Sequence, residues 1–223
     1  MQQTNRSFLA SIPPVTLHLI IINTLMWLAT AAFQRAGIID LIGLLGMCFW
    51  KAEDFHIYQI VTYMFMHGGF MHLFCNMFSL WMFGGLLERL LGRNRYLIYY
   101  FVCGLGAALA QQLVWQISLQ GMEHMYNYVV TVGASGATFG ILVAFGMLFP
   151  NMPMYVIPFP FPIKAKWFVI GYGLFTLYCG LTGDMSGIAH FAHLGGLVTG
   201  FFLILYWKRK GILDNRYGFY QRY

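Results

Sequence analysis

Four residues in this sequence carry the side chains that hydrolysis by a serine nucleophile requires. The Ser135 hydroxyl can attack a carbonyl, and His193 can accept the proton that the hydroxyl loses. His72 and Asn76 stand four residues apart, so on a helix both project from one face. With the backbone N–H of Ser135 they can donate to a developing oxyanion. The sequence therefore predicts a Ser135–His193 dyad, with oxyanion stabilisation by His72 and Asn76.

Each of these residues also has an ordinary structural explanation. A serine in the run Gly133-Ala134-Ser135-Gly136 can be a small residue that permits close helix packing. A histidine near the end of a membrane span is often an interfacial side chain, and His72 with Asn76 can form an interhelical hydrogen bond. What favours catalysis over these explanations is the predicted depth of the residues, which depends on the helices that carry them.

The composition places these helices in a membrane. Of 223 residues, 59% are hydrophobic and 9% are charged, whereas about 25% of the residues of a soluble domain are charged. A crossing helix needs about 20 mostly apolar residues. The candidate spans are Pro14–Phe33, His72–Leu91, Tyr96–Ile117, Ser135–Phe149, Trp167–Leu181 and His190–Trp207. They are too long and too apolar for barrel strands, so the predicted fold is an all-α bundle of six transmembrane helices.

The net charge of +6 has a distribution that predicts orientation. With a cytoplasmic amino terminus, every Lys and Arg except Arg35 and Lys51 falls on the cytoplasmic side, as expected for a membrane protein. The basic residues are therefore expected to contact lipid headgroups rather than nucleic acid. A compact core with short tails favours a bacterial cytoplasmic membrane, with the active site opening to the outer face.

The chain is predicted to form one domain. Residues 1–12 form a cytoplasmic segment without the features of a cleaved signal peptide, residues 13–207 the six-span core, and residues 208–223 a basic cytoplasmic tail. The segment 34–70 is expected to lie in the outer interface. The four cysteines show no close pairs, and they predict neither a disulfide nor a metal site: Cys48, Cys75, Cys103 and Cys179.

The fourth span is too short to cross completely. About 14 helical residues cover about 21 Å of a hydrocarbon layer of about 30 Å, so the preceding loop 120–132 is expected to dip into the membrane. With the amino terminus inside, the second, fourth and sixth spans run inward from the outer face. His72, Ser135 and His193 therefore meet at one depth, in the outer third of the bilayer.

Packing is expected to hold the histidine in place. No Asp or Glu lies on the outer halves of these spans to orient the His193 ring, so Phe139, one turn after Ser135, is predicted to lie flat against it. Glycines on one face of the sixth span let that helix approach the fourth. The residues predicted to pack around the dyad are Phe139, Gly133, Gly196 and Gly200.

These segments resemble the signature motifs of the rhomboid intramembrane proteases, in the same order and in the corresponding spans. The three motifs are His72-x-x-x-Asn76, Gly133-Ala134-Ser135-Gly136 and Ala192-His193-x-x-Gly196-x-x-x-Gly200. Two further matches are Met66-His67-Gly68-Gly69 and Gly84-Gly85-x-x-Glu88. The resemblance covers residues 56–207.

The resemblance implies a function and a set of partners. It implies an endopeptidase without a cofactor that uses Ser135 and His193 to cleave single-span membrane proteins near the membrane surface, assisted by His72 and Asn76. His67 matches a histidine that is structural in relatives. The second and fifth spans are expected to admit the substrate, because the fifth is short and rich in glycine. The loop 182–187 is expected to act as a mobile cap.

The sequence departs from some relatives at two places. Tyr58-Gln59 stands where some relatives have Trp-Arg, so the anchoring of the first loop is expected to differ. Phe139 stands where some have tyrosine, which keeps the ring and drops the hydroxyl. Neither departure removes a reacting group.

Two other functions remain open from the sequence. One is a membrane metal or haem protein that uses His190 and His193 with His67 or His72, although no carboxylate or cysteine stands at metal-ligand spacing. The other is an inactive rhomboid relative that binds membrane clients, although such proteins usually lack the serine or the histidine.

Overall fold

The computed structural model describes residues 11–155, 161–182 and 190–213, and this part of the chain is mostly helical. Four helical segments are long and apolar enough to cross a membrane: α1 (Pro14–Ala36), the continuous segment Phe70–Leu91, α6 (Arg93–Ser118) and α9 (His190–Arg209). The segment Phe70–Leu91 comprises α4 (Phe70–Ser79), a π-helical turn (Leu80–Gly84) and α5 (Gly85–Leu91). Two shorter apolar helices are α7 (Ser135–Leu148) and α8 (Ala165–Thr182).

Short elements occupy the connections. The first connection contains α2 (Leu41–Leu45), β1 (Met47–Cys48) and α3 (Gln59–Thr62), followed by a 3₁₀ turn (Tyr63–Phe65). A second 3₁₀ segment (Glu123–Tyr128) leads to β2 (Val130–Thr131), and β3 (Pro153–Met154) and β4 (Ile163–Lys164) lie before α8.

Besides the predicted helices, the described residues contain two short strand pairs that were not predicted. β1 pairs antiparallel with β2, and β3 with β4. Both pairs join connecting segments, whose backbone N–H and C=O groups have no helical partners. Strand pairing satisfies part of that hydrogen-bonding capacity. The β1–β2 pair also ties the first connection to the segment immediately before α7.

Helix α7 forms the centre of the bundle, between α6 and α9. Nearly all of its residues are buried. It approaches α9 closely because glycines face each other: a Cβ on Gly196 would overlap the Gly136 carbonyl oxygen, and one on Gly200 would lie 3.0 Å from the Gly140 Cα. This contact brings the first turns of α7 and α9 side by side.

The start of α1 is capped from another helix. Glu88 of α5 is 3% exposed. Its carboxylate accepts hydrogen bonds from the backbone N–H groups of Val15 (3.0 Å) and Thr16 (2.7 Å) and from the Thr16 hydroxyl (2.9 Å). The first N–H groups of a helix have no partner within the helix. Glu88 therefore satisfies them and joins α1 to the bundle.

We expect Glu88→Ala to lower the free energy of unfolding by about 3 kcal/mol, because two buried donors and one partly buried donor lose their acceptor. Thermal unfolding of the purified protein in detergent measures the change. Glu123→Ala, at an exposed position, is the matched control and should leave the midpoint unchanged. If Glu88→Ala and the control unfold at the same temperature, this cap is energetically unimportant.

Candidate active site

Ser135 is the first residue of α7, and the turn before it depends on glycine. Gly133 has φ 127°, in the region that residues with a side chain rarely adopt. Its N–H donates to the Tyr63 carbonyl oxygen at 2.9 Å. The Tyr63 hydroxyl donates in turn to the Gly104 carbonyl oxygen at 2.7 Å, on α6. The position of the serine is therefore set by a glycine turn that is hydrogen-bonded to its neighbours.

His193 lies in the first turn of α9, next to the serine. Its Nε2 is 2.8 Å from the Ser135 Oγ, a hydrogen-bonding distance. Both side chains are partly buried. The two residues are 58 positions apart in sequence, and the close approach of α7 and α9 brings them together. This geometry allows the histidine to take the hydroxyl proton directly.

Aromatic stacking holds the His193 ring. The Phe139 ring lies 4.3 Å from it, centroid to centroid, at an interplanar angle of 10°. On the other side of Phe139, Tyr172 of α8 stacks at 5.0 Å and 21°. Tyr172 could not be predicted from the sequence, because nothing in the spacing along the chain relates a residue of α8 to the dyad.

Gly133 lies close to the side chains of both His72 and Ser135. A Cβ added to Gly133 would lie 2.6 Å from the His72 Nε2 and 3.5 Å from the Ser135 Oγ. The His72 ring and the serine hydroxyl therefore lie on the same side of Gly133. A developing oxyanion next to Ser135 would have the imidazole nitrogen within reach.

Asn76 is connected to the serine through a residue that the sequence analysis missed. It is 4% exposed, and its Nδ2 donates to the His72 carbonyl oxygen at 2.8 Å. The Thr138 hydroxyl is 3.4 Å from the Asn76 Oδ1 and 3.0 Å from the Ser135 carbonyl oxygen. One N–H of the Asn76 amide remains for an oxyanion. In the sequence, this link is indicated by the threonine that stands one turn after Ser135.

Two further histidines lie next to residues of the candidate site. His67 is 1% exposed, and its ring lies 5.0 Å from that of His72. Burial, with a smaller effect of His72, lowers the pKa of His67 to about 3, so this ring is neutral at physiological pH. The His190 ring lies 6.3 Å from that of His193. Within the described ranges, no three His, Cys, Asp or Glu residues are grouped to hold a metal ion.

Comparison with known proteins assigns the family. The model of the rhomboid domain matches residues 54–210, and the chain therefore belongs to the rhomboid family. It is similar to RHOMBOID-like protein 6, mitochondrial, of Arabidopsis thaliana, with 31% identity over 75% of this chain and 50% of the relative. It is also similar to Rhomboid protein 1, mitochondrial, of Saccharomyces cerevisiae, with 30% identity over 64% of this chain and 39% of the relative.

A bacterial relative is named as a protease. Rhomboid protease GluP of Bacillus subtilis is 28% identical over 65% of this chain and 25% of its own length. The chain spans half or less of the length of these three relatives. The apolar helices and the family assignment make the chain an integral membrane protein. Several relatives are named as mitochondrial or chloroplastic, so they do not support the bacterial cytoplasmic membrane, which stays a prediction.

Proposed function

We propose that the chain is an intramembrane serine endopeptidase that cleaves membrane proteins in or near their transmembrane segments through a Ser135–His193 dyad. The observation that carries this proposal is the 2.8 Å distance between the Ser135 Oγ and the His193 Nε2, in a family that includes a named protease. The alternative of an inactive client-binding protein has no comparable observation in its favour.

The proposed reaction follows from the arrangement of the side chains. His193 Nε2 takes the proton of the Ser135 hydroxyl as the oxygen attacks the carbonyl carbon of the scissile bond. His72, the remaining N–H of Asn76 and the Ser135 backbone N–H stabilise the oxyanion. His193 then donates its proton to the leaving amine, and a water molecule, activated by the same ring, hydrolyses the acyl-enzyme. Stacking on Phe139 takes over the orienting role that a carboxylate has in triads.

The proposed topology has six spans and a cytoplasmic amino terminus, with α7 and α8 as the two short crossing helices. Arg89 and Arg93 flank the junction of α5 and α6. Lys208, in the last turn of α9, donates to the Met147 carbonyl oxygen at 3.1 Å, near the end of α7. Lys208 and Ser135 are therefore at opposite ends of α7, which supports a dyad near the outer face.

The direct test is cleavage of a model single-span membrane protein by the purified chain in detergent. We expect cleavage within or beside the membrane segment, and labelling of Ser135 by a serine-directed fluorophosphonate, located by peptide mass. A chain that binds the model protein but neither cleaves it nor reacts with the probe would support the inactive-relative alternative. Labelling at another serine would show that the nucleophile is misassigned.

Lateral access is the second part of the proposal. Helix α8 exposes apolar side chains, among them Leu174 at 62% and Phe175 at 59%. Of its glycines, Gly173 and Gly180 face α9, whereas a Cβ added to Gly171 would meet no atom of another described element within 4 Å. Single-span substrates are proposed to enter between α4 and α8. Residues 183–187 of the predicted cap loop lie outside the described residues.

We expect a covalent bridge between α4 and α8 to slow cleavage of a membrane substrate by about an order of magnitude, because the gap between the helices can no longer widen. Cys75 of α4 and Tyr172 of α8 lie at the same level of the bundle, since Asn76 contacts Thr138 of α7 and Tyr172 stacks on the adjacent Phe139. A short bifunctional thiol reagent applied to Tyr172→Cys can therefore join the two helices. The same variant without reagent is the control, since it carries any effect of losing the tyrosine.

A short soluble peptide serves as the second substrate in this experiment. It can reach Ser135 from the water side, so the bridge should affect its cleavage much less. Equal losses for both substrates, or no loss for either, would show that substrates do not pass between α4 and α8.

A further inference from the structure

Gln59 is a buried amide whose hydrogen bonds all go to the backbone of the first connection. It is 1% exposed. Its Nε2 donates to the carbonyl oxygens of Leu44 (3.3 Å) and Asp54 (3.1 Å), and its Oε1 accepts from the N–H groups of Cys48 (3.4 Å) and His56 (3.2 Å). These four bonds use the full hydrogen-bonding capacity of a glutamine amide. One neutral side chain therefore holds both ends of the segment 44–56 together.

The segment held by Gln59 contains β1, and β1 is also held from α6. Gln112 Nε2 donates to the Cys48 carbonyl oxygen at 2.7 Å, and its Oε1 accepts from the Trp50 N–H at 2.9 Å. The N–H and C=O groups of Cys48 are thus both bound by glutamine side chains. Two amides from different helices fix the position of this strand.

The strand β1 in turn supports the segment that leads to Ser135. It pairs with β2 in the register Met47 with Thr131 and Cys48 with Val130. β2 ends two residues before Gly133, whose N–H is bound by the Tyr63 carbonyl oxygen. Tyr63 directly follows α3, the short helix that begins at Gln59. The turn before Ser135 is thus supported in two ways, through β1 and through Tyr63. Gln59 is linked to both, because it binds Cys48 of β1 and begins the short helix that ends before Tyr63.

We infer that Gln59 is a positioning residue for Ser135, acting through the β1–β2 pair on the turn at Gly133. This inference rests on the proposed protease function, because its effect on turnover requires that Ser135 react. In Gln59→Leu four backbone groups of the first connection lose the partner that Gln59 supplies. The loosened β1 then supports β2 poorly, and Ser135 occupies the reactive position for a smaller fraction of the time.

The expected result for Gln59→Leu is a fall in kcat of about ten- to a hundredfold, because small displacements of a reacting group have effects of this size. KM for a short peptide should change little, since Gln59 is buried away from solvent. Amide hydrogen exchange at residues 130–133 should become faster, which is a readout independent of catalysis. Gln120→Leu, at an exposed position, makes the same chemical change and should alter none of these quantities.

A cross-strand disulfide distinguishes positioning from general destabilisation. Because the backbone groups of Cys48 bind glutamines, Cys48 and Val130 form the kind of pair whose side chains approach closely. Val130→Cys therefore allows a disulfide with the native Cys48. In the Gln59→Leu background, oxidation should restore kcat to within about threefold of oxidised Val130→Cys alone, and reduction should abolish the recovery.

Three results would overturn the inference: unchanged exchange at residues 130–133 in Gln59→Leu, unchanged kcat, or no recovery on oxidation when peptide mass shows the disulfide. If Gln59→Leu does not fold, Gln59→Asn replaces it, because the shorter Asn keeps an amide but cannot reach all four backbone groups. It should show the same changes with smaller size. If the wild type itself does not cleave, the proposed function fails, and hydrogen exchange still decides whether Gln59 holds residues 130–133.

Discussion

Ser135→Ala and His193→Ala are each expected to lower turnover by about 10⁴–10⁶-fold, to the background of the assay, because a nucleophile and its base act as one unit. The double variant should lose no more than either single variant, since the remaining partner has nothing to act on. Cleavage of a single-span substrate in detergent, followed to long times at high enzyme concentration, measures the effect. Reaction of a fluorophosphonate probe with wild type and each variant gives an independent measurement.

The controls for this experiment follow from the contacts of each residue. Ser135→Ala removes one partly buried hydroxyl and should leave thermal stability close to that of the wild type. His193→Ala also removes a ring that stacks on Phe139 at 4.3 Å, so a loss of about 1 kcal/mol of stability is expected. Proteolysis that continues undiminished in either folded variant would exclude the dyad.

His72→Ala and Asn76→Ala are expected to lower kcat by about one to three decades with little change in KM, because oxyanion donors act mainly in the transition state. The effect should be smaller than that of the dyad variants, since other donors to the oxyanion remain. Steady-state kinetics on a soluble peptide separate kcat from KM without the complication of lateral access. Thermal unfolding must be measured beside it, because Asn76 is buried and hydrogen-bonded.

Thr138→Val is the matched control for Asn76. It keeps the shape of the side chain and removes the hydroxyl that lies between Asn76 and the Ser135 carbonyl oxygen. If Asn76 donates to the oxyanion directly, Thr138→Val should lower kcat much less than Asn76→Ala does. Equal effects would assign Asn76 a positioning role through Thr138. A raised KM at constant kcat in either His72→Ala or Asn76→Ala would move that residue to substrate binding.

Several features of this protein could be predicted from the sequence because they depend on local properties of the chain. The length of an apolar run decides whether a helix can cross a membrane, so the helical segments were found with bounds close to those of the structure. The i, i+4 relation of His72 and Asn76 follows from helix geometry. The family motifs around Ser135 and His193 were recognisable for the same reason, since each is a short segment with characteristic spacing.

Other features were decided only by the tertiary structure, because they join side chains and backbone groups far apart in sequence. Glu88 caps a helix that begins 74 residues earlier. Gln112 binds a strand 64 residues away, and Tyr172 of α8 stacks on Phe139, which in turn stacks on His193. The two strand pairs were missed because segments of two residues carry no periodicity. A hydrogen bond to a distant backbone group leaves no pattern along the chain, so contacts such as those of Gln59 are found only once the helices have been packed.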